Sequence, residues 1–148
     1  ALTVPRELSM RDGKLCQQPA HEIGRMRGDC VRATGGETVE EPGRLFDLVV
    51  SCEGAKMVEL EIRKGVFVRY TDGMLTLDMG DEGYGRDQRS IELGELRDLR
   101  VLSDTTMVEI FANGGEAALT SRTYSPAVPA MELHAEGAAS MNFYRLVH

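Results

Sequence analysis

The stretch LSDTTMVEIFANGGEAALTSR, residues 102–122, decides the fold class. Within it, residues 107–112 alternate and are rich in β-branched and aromatic types, the composition of a strand that packs on a pleated surface. Asn113-Gly114 then supplies the positive φ angles that a tight hairpin turn requires, and residues 117–122 carry the return strand.

Working outward, turn signals recur about every eight to twelve residues, the spacing of an all-β sandwich or barrel. Residues 44–52 read as a strand, and 57–62 alternate strictly, with Val58, Leu60 and Ile62 on one face and Glu59 and Glu61 on the other. Arg63-Lys64-Gly65 turns the chain back into 66–71, and Asp72-Gly73 joins that strand to 74–78. Residues 89–93 and 99–103 continue the series, and 131–135 with 138–146 read as a closing hairpin across Glu136-Gly137. Near the start, Asp12-Gly13 separates 8–10 from 15–17. Helical spacing is confined to 21–27, a short turn weakened by Gly24. About eleven or twelve half-polar strands fit two antiparallel sheets face to face, each burying one side and wetting the other.

A chain of 148 residues is the size of one domain, so residues 1–148 read as a single unit, one that buries roughly 70% of its unfolded surface. Its 24 acidic and 17 basic residues give a net charge of −7 with no basic cluster, which opposes nucleic acid as a partner. The longest apolar run, at 45–50, is broken by Asp47 and is far shorter than the roughly 20 residues of a bilayer-spanning helix, so no membrane partner is expected. Cys16, Cys30 and Cys52 are odd in number and widely spaced, which predicts buried or half-buried free thiols rather than a disulfide framework or a zinc knuckle. That favours a reducing, cytoplasmic compartment.

The 102–122 hairpin resembles the late hairpin of the C-terminal β-sandwich module of glycoside hydrolase family 32, the β-fructofuranosidases, which include invertases, levanases and sucrose-6-phosphate hydrolases. LTVPRELSMRDGKLCQQP, residues 2–19, resembles the entry segment of the same module, with Cys16 where an aromatic is common, and Gly85-Arg86-Asp87-Gln88-Arg89 lies between the two. The resemblance implies a sandwich of two six-stranded sheets of the concanavalin A-like lectin/glucanase type. It also implies a parent enzyme that hydrolyses sucrose, sucrose-6-phosphate or related fructosides with retention, through a fructosyl-enzyme intermediate and without a cofactor. The implied partners are an N-terminal catalytic five-bladed propeller of the same parent chain, a fructoside, and a second copy in a homodimer.

In that family the propeller carries the catalytic Asn-Asp-Pro, Arg-Asp-Pro and Glu-Cys motifs. None occurs here: Asn113 and Asn142 are not followed by Asp-Pro, the Arg-Asp pairs at 11–12, 86–87 and 97–98 lack the proline, and Cys52-Glu53 runs in the reverse order. No catalytic residue is therefore assigned, and the chain alone is expected to be inactive. Its role is that of an accessory domain supporting the propeller and the interdomain cleft.

Glycoside hydrolysis needs two carboxylates flanking the scissile bond, and Glu59, Glu61, Asp104 and Glu109 read instead as solvated faces or turn caps. His21, His134 and His148 lack metal-ligand spacing, so no metal is expected. The acidic glycine-rich stretch at 80–86 lacks a phosphate-loop ending. Within and beyond it, Tyr84, Arg86, Asp87 and Arg89 are candidates for contact with a neighbouring module or a sugar, since Arg and Asp together match hydroxyl groups. Arg6 and Glu7, after Pro5, are interdomain candidates: a buried pair there would fix the angle to a preceding module, and a surface pair would contribute little. The alternative function is a fructan-binding lectin-like module with no hydrolase partner. Absence of Trp weighs against it, with Phe46, Phe67, Phe111 and Phe143 read as core and Tyr70, Tyr84, Tyr124 and Tyr144 left as stacking platforms.

Overall fold

A computed structural model of the chain describes residues 6–11, 13–19, 21–80 and 88–146. Strands β1 (Arg6–Arg11) and β2 (Lys14–Pro19) form a hairpin, and a 3₁₀ turn at His21–Met26 leads to β3 (Arg27–Thr34) and β4 (Thr38–Glu40). There follow β5 (Phe46–Ser51), β6 (Met57–Arg63), β7 (Val66–Thr71), β8 (Met74–Asp78), β9 (Gln88–Glu92), β10 (Asp98–Ser103), β11 (Met107–Ala112) and β12 (Ala117–Arg122). The chain closes with β13 (Ala130–Glu132), β14 (His134–Glu136) and β15 (Ser140–Leu146).

Two sheets make the sandwich. One has six strands in the order β12-β11-β10-β5-β15-β3, the other five in the order β14-β6-β7-β8-β9, and β1-β2 and β13-β4 form small two-stranded additions. All pairings are antiparallel. Between the sheets, Phe46, Leu48, Val50, Val101, Ile110 and Phe143 face Val58, Leu60, Ile62, Val68 and Leu77, all within one core. Phe46 and Phe143 stack with centroids 5.2 Å apart. Each such side chain contributes about 1.5–3 kcal/mol on leaving water.

The alternation of β6 and the hairpin turns at Gly13 and Asp72-Gly73 (φ 78°, 51° and 77°) follow the sequence reading. Several features depart from it. Among the described residues the sheets have six and five strands rather than six each, and fifteen strands are present in all. Segment 28–43, to which the sequence reading assigns no strand, holds most of β3 and all of β4; β3 is an outer strand whose residues are mostly exposed or half-exposed and offer no apolar alternation. The stretch 131–135 is split at Leu133 between two sheets, and β14 does not pair with β15: it lies on β6, while β15 sits between β5 and β3. Glu136-Gly137 is thus a crossing between sheets, not a hairpin turn.

Arg63, read as part of a turn, belongs to β6 and is fully buried. The register slips between Glu61 and Arg63, and this bulge lets Ile62 and Arg63 both turn inward, which strict alternation forbids. Cys30 is exposed, against the expectation for the thiols, while Cys16 and Cys52 are buried, and all three are free. Burial, with the charge of Asp98 behind it, pushes the Cys52 thiol up to about 12.

On the outer side of the five-stranded sheet, Arg69 bridges Glu59 at 2.7 Å and Asp78 at 2.5 Å and lies over the Phe67 ring, 4.5 Å from its centroid. Phe67 is therefore a surface residue rather than core. The Asp78 carboxyl is held below its usual range, first by the Gly80 N–H donating to it at 2.9 Å and then by Arg69, against the opposing effect of burial. A depressed carboxyl contributes stability that is present above its unfolded pKa and is lost as pH falls through the folded one. Carboxyl-carbon NMR titration should place the Asp78 midpoint below that of ordinary aspartates, and Asp78→Asn should flatten the acid limb of the stability curve.

Candidate functional site

The site grows out of the outer face of the six-stranded sheet. A sheet in an antiparallel sandwich ordinarily wets that face, yet every residue of β11 is buried. The N-terminal hairpin β1-β2 covers Glu109 and Phe111 on that face, and Met107 lies beside Ile23 and Met26 of the 3₁₀ turn.

Arg6 at the base of this hairpin donates to Glu109 Oε1 at 2.8 Å, to Thr120 Oγ1 at 2.8 Å and to Gln17 Oε1 at 2.9 Å. Its guanidinium lies 5.1 Å from the Phe111 ring centroid. Glu109 is thereby a buried ion-paired carboxylate and not a solvated one, and Phe111 is buried beneath the hairpin rather than between the sheets. Glu7, the neighbour proposed with Arg6, is exposed, as adjacent strand residues point to opposite faces.

Arg89 on β9 donates to the Thr120 carbonyl at 2.6 Å, linking an outer strand of one sheet to an outer strand of the other. Two sequence candidates, Arg6 and Arg89, therefore converge on Thr120, one at its hydroxyl and one at its backbone. Tyr84, Arg86 and Asp87 lie outside the described residues.

Farther along the hairpin, Gln18 donates to the Gly114 carbonyl at 2.5 Å, and Cys16 is buried. The β11-β12 turn that receives Gln18 is built for close approach. Asn113, Gly114 and Gly115 all have positive φ, at 54°, 69° and 97°. Asn113 accepts from the Arg97 N–H at 2.7 Å and donates to the Glu95 carbonyl at 2.7 Å, and Asp98 accepts from the Gly114 N–H at 2.9 Å.

A Cβ on Gly115 would stand 2.1 Å from the Gln17 carbonyl oxygen. Gly115→Ala is thus expected to lift the hairpin off the turn and cost ~2 kcal/mol, a fall of ~4–8 °C in Tm. Gly36→Ala, with a similar φ of +87° but open space around it, should lose only the backbone part of that. Differential scanning calorimetry of the two variants checks the difference.

On the same outer face Asp47 is completely buried between two arginines. Arg27 donates to it at 2.7 Å, and Arg100 reaches both its oxygens, at 3.0 and 2.8 Å. Arg27 crosses the Tyr144 ring to do so, 4.1 Å from the centroid. Asp47 had marked only an interruption of an apolar run. Asp104 behaves as the turn cap it was read to be, accepting from the Thr106 and Met107 N–H groups at 2.9 and 2.8 Å. Among the aromatic platforms, Tyr70 is buried and its hydroxyl donates to the Gly94 carbonyl, while Tyr124 is exposed.

Residues 55–146 match the model of a protein family described as "Glycosyl hydrolases family 32 C terminal". The chain belongs to this family. It is 37% identical over 144 residues to the raffinose invertase of Escherichia coli, covering 85% of this chain and 29% of that protein. It is 31% identical over 135 residues to the sucrose-6-phosphate hydrolase of Salmonella typhimurium, covering 85% of this chain and 26% of that enzyme.

Among solved structures, a family 32 glycoside hydrolase from Bifidobacterium adolescentis superposes with a TM-score of 0.81 at 22% identity, over 98% of this chain and 25% of that one. A sucrose-6-phosphate hydrolase from Lactobacillus gasseri gives 0.80 at 19%, over 95% and 33%. The sandwich is thus the family 32 C-terminal fold, and the chain spans a third or less of each of these four proteins. It corresponds to an accessory domain of family 32 enzymes.

Proposed function

We propose that this chain is the accessory C-terminal module of a β-fructofuranosidase that hydrolyses sucrose, sucrose-6-phosphate or a related fructoside, resting against an N-terminal catalytic propeller of the same parent chain. The observation that carries this reading is how the acidic residues are used. The buried carboxylates among the described residues, Asp47 and Glu109, are both closed by arginines that tie strands together. A carboxylate held this way has its oxygens taken up by arginines and stands behind them, unlike the paired acid and nucleophile of a glycosidase.

The named relatives are an invertase and sucrose-6-phosphate hydrolases, which supports sucrose or its phosphate as the parent's substrate. Free thiols at Cys16, Cys30 and Cys52 fit the reducing cytoplasm proposed for it. The module's work is mechanical: a sandwich whose six-stranded sheet is covered over part of its outer face as well is a stiff body against which a neighbouring domain can hold its shape.

The test is truncation of the parent chain ahead of this module. Loss of soluble, heat-stable hydrolase activity is expected, and a truncated protein of undiminished activity and Tm overturns the reading. Titration calorimetry of the 148-residue chain with levan should give no saturating heat; a saturating heat would favour the lectin-like function instead.

A further inference from the structure

We propose that Leu8, Met10 and Leu15, toward the tip of the β1-β2 hairpin, form the pad on which the polypeptide preceding this module in the parent chain is seated. The proposal rests on the accessory reading above and names the surface that reading requires.

Five large apolar side chains are exposed among the described residues: Leu8 (66%), Met10 (66%), Leu15 (56%), Met74 (38%) and Tyr124 (58%). Three of them share one hairpin. Met10 lies directly across from Leu15, and Leu8 is two residues along the same strand, so all three project from one face. At the base of the hairpin this face is closed, with Arg6 bonded to Glu109 and Pro19 buried opposite it. Toward the tip it is bare. The opposite face is occupied, since Cys16 is buried and Gln18 bonds the 113–115 turn. The hairpin is thus seated on the body of the domain through both faces, by Arg6 on the one and Gln18 on the other, and offers an apolar strip toward its tip.

A two-stranded ribbon is marginal by itself, and contiguous exposed apolar groups mark contact surfaces. The occupant follows from position and size. The matched family model is of a C-terminal portion, and the relatives are three to four times as long as their matched part. The hairpin is also the most N-terminal element described, so a preceding domain is tethered beside it and acts at high effective concentration. Three side chains fall short of the roughly 800 Å² per partner that a stable free dimer needs, whereas a tethered interdomain contact works with less.

Peroxide footprinting tests this with a built-in reference. Met10 and Met74 are both exposed, but only Met10 lies on the pad. Sulfoxide formation at each is followed by mass spectrometry in the 148-residue chain and in the full parent protein. The expected result is Met10 oxidation at least tenfold slower in the parent, with the Met74 rate unchanged, and recovery of the fast Met10 rate in a parent carrying Leu8→Ser and Leu15→Ser. Equal Met10 rates in the two proteins overturn the pad. They leave the accessory reading standing if truncation still destroys the hydrolase, so the two failures are distinct. Met10 protection that grows with the concentration of the 148-residue chain itself assigns the pad to a second copy and also overturns the proposal.

Discussion

Arg63→Ala is expected to destabilise the domain by about 3–5 kcal/mol, the range for breaking a buried charged network. Arg63 has no exposed surface. Its Nε and one terminal nitrogen donate to the Ser125 carbonyl at 2.8 and 2.5 Å, and that nitrogen also donates to the Thr105 carbonyl at 3.0 Å. The other terminal nitrogen donates to the Asp104 carbonyl at 2.7 Å and the Ser103 hydroxyl at 3.3 Å. The loops at 104–106 and 123–128 have few strand hydrogen bonds of their own, so the guanidinium supplies their missing donors.

Alanine leaves three carbonyls without these donors in a dry site, each costing about 1–3 kcal/mol if no water enters. A lysine keeps the charge but has no planar fork to span both loops, so Arg63→Lys should fall between wild type and alanine. Calorimetry should show a Tm fall of about 10–15 °C for the alanine variant. A fall of only two or three degrees would show that the loops hold without the clamp.

Asp47→Ala is the second large effect, about 3 kcal/mol. The carboxylate has no exposure, but Arg27 and Arg100 retain 25% and 22% of theirs, so water relieves part of the repulsion left behind and keeps the cost at the low end of the buried range. The order β10-β5-β15-β3 explains its reach: Asp47 on β5 holds Arg100 on the adjacent strand and Arg27 two strands away, across Tyr144. Asp47→Asn keeps the shape and some hydrogen bonds and should cost less. Because the anion is shielded, the difference between Asp47→Ala and wild type should change little between low and high salt in urea unfolding, unlike that of an exposed pair.

The strands of the two sheets were legible wherever one face was buried and the other wet, as in β6, because period-two alternation is then imposed by burial. The same logic misread the outer face of the six-stranded sheet. Phe111, Glu109 and Asp47 sit on polar-side positions that become buried only because the hairpin and arginines from distant strands cover them, and nothing local marks that covering. Arg6 could be singled out by its place after Pro5, but its partners Glu109 and Thr120 are more than a hundred residues away. Arg63 was missed for a different reason, since a one-residue bulge reverses the face of every residue beyond it. Gly115 follows the Asn113-Gly114 turn unremarked in the sequence, and its absolute demand comes from the backbone of β2 passing beside it.

This sandwich is proposed to support a hydrolase without being one. Fructose released from sucrose by the purified 148-residue chain tests it most directly. No release above the enzyme-free control is expected at any protein concentration; release that scales with protein and disappears on thermal unfolding would overturn the accessory reading.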